Sequence, residues 1–98
     1  MPIAKQLVPD TGVRSDVAYS AADTTILAAN NARIGACIWN DATVVLYLLL
    51  ASGTASATNY TVQLVAGAYY EVPFGYLGVI KGIWAGAGAG NARVTHFE

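Results

Sequence analysis

The side chains able to do chemistry are few and far apart in this chain of 98 residues. His96 is the only histidine and Cys37 the only cysteine. A metal centre or a nucleophile–base pair needs several convergent partners. The neighbours of His96 are Val94, Thr95, Phe97 and Glu98, so an exposed tail histidine is expected. Cys37 stands in the apolar run IGACIW, where a small buried hydrophobe is expected, and a single cysteine excludes an internal disulfide. Asp10, Asp16 and Asp23 lack the alternate-residue rhythm of a calcium loop and read as solvated turn carboxylates. Gly86, Gly88 and Gly90 resemble a phosphate-binding loop only superficially. Such a loop opens a helix whose N-terminus faces the anion, and here the strand-like NARVTHF follows. These patterns predict no catalytic residue, no metal and no cofactor, hence a non-enzymatic protein.

The aromatic residues carry more information. Trp39, Tyr47, Tyr60, Tyr69, Tyr70, Tyr76 and Trp84 are large amphipathic side chains in a small chain. Such residues anchor protein interfaces or stack on sugars, and otherwise fill cores and cross-strand pairs. Tyr69 and Tyr70 are adjacent, so in a strand they point to opposite faces. Tyr69, Tyr76 and Trp84 are the candidate partner-binding aromatics.

Composition narrows the function classes. Charged residues make up 11% of the chain, against about 25% in an ordinary domain. A surface so poor in charge is adhesive, and a permanent partner is the usual remedy. The net charge is −1, with Lys5, Arg14, Arg33, Lys81 and Arg93 spread along the whole length. Nucleic-acid binding needs a clustered basic face and is not expected. The segment Ala42–Tyr70 has no charge, yet Ser, Gly, Thr and Asn interrupt it after Ala51. A membrane helix needs about 20 continuous apolar residues, so this segment reads as strands and no membrane span is expected. MPIAKQLVPD lacks the basic region and apolar core of a signal peptide, so synthesis and assembly in a cytoplasm are expected. A chain of this size supports one core and little internal pocket.

Residues 1–12 read as an N-terminal arm, with Ile3, Leu7 and Val8 as its apolar contacts and Pro2, Pro9 and Asp10-Thr11-Gly12 as punctuation. Residues 13–98 then form a single β domain. Strands are predicted at 13–19, 24–28, 33–39, 43–50, 59–65, 69–72, 79–84 and 91–97. Turns are expected at Asn40-Asp41-Ala42 and Ala66-Gly67, a loop at SGTASATN, and a hairpin loop at AGAGAG. Thr24-Thr25-Ile26 is β-branched, which favours a strand over a helical turn there. Short strands at this spacing predict an all-β fold, a small antiparallel β-sandwich or barrel-like domain. The 43–50 strand is apolar on both faces: Val44, Leu46, Leu48 and Leu50 form one row, and Val45, Tyr47 and Leu49 the other. One face of a small antiparallel sheet normally meets water, so this strand is either central or half of an interface.

The pieces TTILAANNARIGACIWND, VLYLLLASGTAS, NYTVQLVAGAYYEVP, GIWA and GNARVTHFE occur in that order from residue 24 onward. From Ser20 to the end the chain thereby resembles a family of small structural proteins encoded by tailed bacteriophages and prophages; residues 1–19 fall outside the resemblance. It implies a compact β-sandwich that decorates capsids or serves in tails, without catalysis or cofactors. Relatives commonly place a lysine or another polar residue where this chain has Leu49, and a lysine near Ile34. The departure at Leu49 extends the apolar row Val45-Tyr47-Leu49. A subunit interface through that row is expected, with Trp39 on the same face of the neighbouring strand.

Together these readings predict a bacteriophage virion protein, a capsid decoration (cement) subunit gripping the major capsid protein. A homo-oligomer is expected, a trimer suiting a three-fold site. The alternatives are a tail, neck or fibre component, or a carbohydrate-binding module contacting the host surface.

Overall fold

Alternating apolar and polar residues, cut by Gly, Asn and Ser turns, produce eight strands and no helix among the described residues. They are β1 (Gly12–Ala18), β2 (Thr24–Leu27), β3 (Gly35–Ala42), β4 (Leu46–Leu49), β5 (Val62–Leu64), β6 (Tyr69–Glu71), β7 (Ile80–Trp84) and β8 (Gly90–Phe97). The structure is a computed structural model and describes residues 10–73 and 75–98. Ile3, Leu7 and Val8 of the expected arm lie outside the described residues. The last residues of that arm belong to the domain instead: Gly12 opens β1, and the Asp10 and Thr11 amides both donate to the Glu98 carbonyl.

The strands form two antiparallel sheets of four. The front sheet has the order β1-β8-β3-β6 and the back sheet β2-β7-β4-β5. The all-β sandwich is thus confirmed, and its topology is that of a jelly roll, eight strands wound as two Greek keys. Only β4 and β5 are consecutive neighbours in one sheet; every other connection crosses to the opposite sheet. AGAGAG is therefore an inter-sheet crossover from β7 to β8 and not a hairpin loop. At its end Gly90 has φ 117, and a Cβ there would collide with the Asp41 carbonyl. Only glycine fits that corner.

The inner faces make one core. Ile38, Leu46, Leu48, Ile80 and Val94 are fully enclosed, with Ile26, Leu64, Val72, Ala92 and Trp84 around them. Gly82 is needed for close approach: a Cβ on it would lie 2.7 Å from Ile26 Cγ1.

Two buried polar residues tie the sheets together. Asn40 was expected in a turn but lies inside β3, facing inward. The strand continues through Asn40-Asp41-Ala42 because β8 is long enough to pair with it as far as Gly90. Buried Asn40 is tolerated because its side chain is bonded at both ends. Its Nδ2 donates to the Val44 and Leu64 carbonyls, each at 2.9 Å, and its Oδ1 accepts from Trp84 Nε1 at 3.0 Å. At the other end of the sandwich, Arg33 is 3% exposed. Its guanidinium donates to the carbonyls of Ala28, Tyr76 and Gly78 at 3.1, 2.9 and 2.8 Å, clasping the β2–β3 turn to the β6–β7 loop. Burial pulls its pKa below the ordinary arginine value.

Candidate interaction surface

The two outer faces of the sandwich are finished differently. On the back sheet, register and alternation place Lys81 opposite Leu49, Ile83 and Gln63 opposite Tyr47, and Val45 beyond them. Residues 51–60 fold back over this face. Ala55 is 1% exposed and its amide donates to Asp23 Oδ1 at 2.8 Å. Asp23 in turn holds Lys81 Nζ at 3.0 Å. Tyr60 packs on Tyr47 with ring centroids 4.9 Å apart. Leu49 and Ala55 are the buried apolar residues that stand apart from the central core. Leu49, 6% exposed, is therefore buried within the subunit itself, which leaves little of it for a subunit contact. Val45 and Tyr47 are half-buried in the same layer. The Ala55 amide holds the Asp23 carboxyl below its ordinary pKa of 3.8; partial burial opposes this and Lys81 adds to it.

Trp39 is not on that face. It lies on β3 of the front sheet, whereas Val45, Tyr47 and Leu49 belong to the back sheet. The expected four-residue interface is thus split between opposite sides of the sandwich. Trp84 is also displaced from its expected role: at 2% exposure it is core, tilted against Tyr19 at 5.8 Å. Tyr76 is half-buried and structural, with its hydroxyl on the Val79 carbonyl at 2.5 Å and its ring 6.0 Å from the Arg33 guanidinium. His96 is not an exposed tail residue either. It sits on the inner side of β8, its side chain 14% exposed, with Nε2 3.0 Å from Glu98 Oε2. Asp16 lies on a strand rather than in a turn.

Among the described residues, no segment folds over the front sheet's outer face. None of its outward side chains is buried, and register brings together Arg93 on β8, Trp39 on β3 and Tyr69 on β6 in one row across the strands. Trp39 is 42% and Tyr69 56% exposed. Their polar tips are turned back to the protein: Trp39 Nε1 donates to the Gly67 carbonyl at 3.1 Å, and the Tyr69 hydroxyl to Glu71 Oε2 at 3.1 Å. The rings are thereby oriented before any partner arrives. Toward β1 the same face carries a charge ladder, Asp41–Arg93 at 2.6 Å, Arg93–Asp16 at 3.4 Å and Arg14–Asp16 at 2.9 Å.

Beside Tyr69 the face is grooved. The outward residues of β3 run Gly35, Cys37, Trp39, small at one end and large at the other. Phe97 on β8 and Tyr69 with Glu71 on β6 rise on either side, and Ile34 and Pro73 border an open depression of ≈ 540 Å³. Cys37 is half-buried in this floor rather than in the core. The Cys37 thiol, partial burial and the Glu71 carboxylate push the Tyr69 phenol up to about 12. Sequence reading placed Trp39 and Tyr69 among the candidates but missed Cys37, Glu71 and Phe97. The available signal was the alternation Gly35-x-Cys37-x-Trp39, a strand face of small residues ending in an indole. Among the described residues, no three His, Cys, Asp or Glu side chains converge as a metal site. No family model, no curated protein and no solved structure matches the chain.

Proposed function

We propose that this chain is a non-enzymatic virion structural protein of a tailed bacteriophage, a capsid decoration subunit that binds the major capsid protein through the front sheet. The observation that carries the reading is the pair Trp39 and Tyr69, exposed side by side on an uncovered sheet face with both polar tips already bonded. Pre-oriented aromatics of this kind are the usual anchors of protein interfaces, since little side-chain freedom is lost on binding. The low charge of the chain and its resemblance to phage structural proteins point the same way. The jelly roll adds an analogy only, because that architecture serves capsid and lectin domains alike.

On this reading the subunits act as a homo-oligomer on the head, a trimer suiting a three-fold position, and repetition multiplies modest contacts by avidity. The glycan-binding alternative is weakened, because Trp84 is buried and Tyr76 is engaged with Arg33, leaving Tyr69 alone of its three proposed platforms. The test is co-sedimentation of the purified protein with capsids lacking it. Saturable binding in a fixed ratio to the major capsid protein supports decoration. Absence of binding moves the protein to the tail or neck.

A further inference from the structure

We infer that the groove between Phe97 and the Tyr69–Glu71 pair receives an arginine side chain of the protein that the front sheet binds. This rests on the front sheet being a protein contact and names the chemistry of that contact.

The inference begins with charge. Glu71 Oε2 accepts the Tyr69 hydroxyl, but no cation among the described residues reaches this carboxylate. Arg14 and Arg93 are engaged in the charge ladder, Lys81 is held by Asp23, and Arg33 is buried among carbonyls. Among the described residues Glu71 therefore stands as an uncompensated negative charge at the rim of a groove whose other walls are Tyr69, Phe97, Ile34 and Pro73.

Each class of occupant has a different consequence. A purely apolar side chain would strip water from the Glu71 carboxylate with nothing to replace it. A sugar ring would bring several hydroxyls to a site whose side-chain polar groups are the Glu71 carboxylate, the Cys37 thiol and a Tyr69 hydroxyl already committed as donor. An anion would meet Glu71 with repulsion. A guanidinium satisfies all the constraints: it pairs with the carboxylate through its planar fork and lies against an aromatic face, while its methylene stem covers the apolar wall. Gly35 at the floor leaves the depth for that stem, since a Cβ there would come no nearer than 3.9 Å to Phe97.

The test is an NMR titration of the full chain, ¹⁵N-labelled, with N-acetyl-arginine methylamide. The controls are its uncharged isostere N-acetyl-citrulline methylamide, and methyl glucoside. The arginine compound is expected to shift the Gly35, Cys37 and Glu71 amides saturably, with an apparent Kd of roughly tens of millimolar for one exposed side chain. Citrulline should bind at least about threefold more weakly, and Glu71→Gln should erase that difference. Equal binding of arginine and citrulline, tighter binding of methyl glucoside, or no movement of these amides overturns the inference. Capsid co-sedimentation separates the two readings. Arginine binding without capsid binding keeps the groove and removes the decoration role. Capsid binding unaffected by Glu71→Gln keeps the decoration role and removes the groove.

Discussion

Asn40 Oδ1 on the front sheet accepts a hydrogen bond from Trp84 Nε1 on the back sheet, at 3.0 Å in the buried space between the sheets. With the Asn40 amide donating to the Val44 and Leu64 carbonyls, one side chain bonds to three groups, on β7, on β5 and in the β3–β4 connection. Asn40→Ala removes these three hydrogen bonds and opens a small cavity. The expected cost is about 3–5 kcal/mol, given roughly 1–3 kcal/mol for each buried group left without a partner and the non-additivity of neighbours. Chemical denaturation monitored by the buried Trp84 measures it.

Leu49→Lys tests how the back face is covered. A surface interface would respond to this change by dissociating, with the fold intact. Because Leu49 is buried within the subunit at 6% exposure, the folded subunit itself should lose about 2–4 kcal/mol. Hydrogen exchange should rise at Ala55 before it rises in the core. An unchanged melting temperature would show that Leu49 is not buried within the subunit.

Asp23 makes the same loop sensitive to acid. Its folded pKa is depressed, so the stability it contributes is present at pH values above its unfolded pKa and is lost as pH falls through the lower folded value. Asp23→Asn should cost about 0.5–1.5 kcal/mol at neutral pH. The gap to the parent protein should close below the ordinary carboxylate pKa of 3.8. Parallel denaturation curves at neutral and strongly acidic pH decide it.

Tyr69 should ionise late. Its phenol is held up to about 12 by Cys37, partial burial and Glu71, so its ¹³Cζ resonance should titrate well above the ordinary value of 10. Cys37→Ala removes the first of these causes and should bring the midpoint down. A Tyr69 midpoint near 10 in the parent protein would show that the thiol and carboxylate do not crowd the phenol.

Trp39→Ala addresses the proposed binding face. The ring is 42% exposed and, among the described residues, its indole N–H bonds to the Gly67 carbonyl alone, so the fold should change by about 1 kcal/mol or less. Capsid affinity should fall about 10–100-fold, as expected for a central aromatic anchor. Undiminished co-sedimentation would place the contact elsewhere on the subunit.

Local patterning determined a great deal here. Period-two alternation with turn residues between the runs placed each strand to within a few residues, and with them the all-β sandwich. Adjacent Tyr69 and Tyr70 had to face opposite ways, and they do: Tyr69 is exposed while Tyr70 packs on the core. The tertiary structure decided which strand lies beside which, because hydrogen-bonded neighbours in a jelly roll come from distant parts of the chain. For that reason Trp39 and Tyr47, eight residues apart, stand on opposite faces of the molecule. Two outward rows look alike in sequence, and only the packed structure leaves Trp39 exposed on one while Leu49 is buried on the other. Trp84 and Asn40 show the same dependence: an indole with the makings of a platform and an asparagine suited to a turn become each other's buried partners once the sheets are stacked.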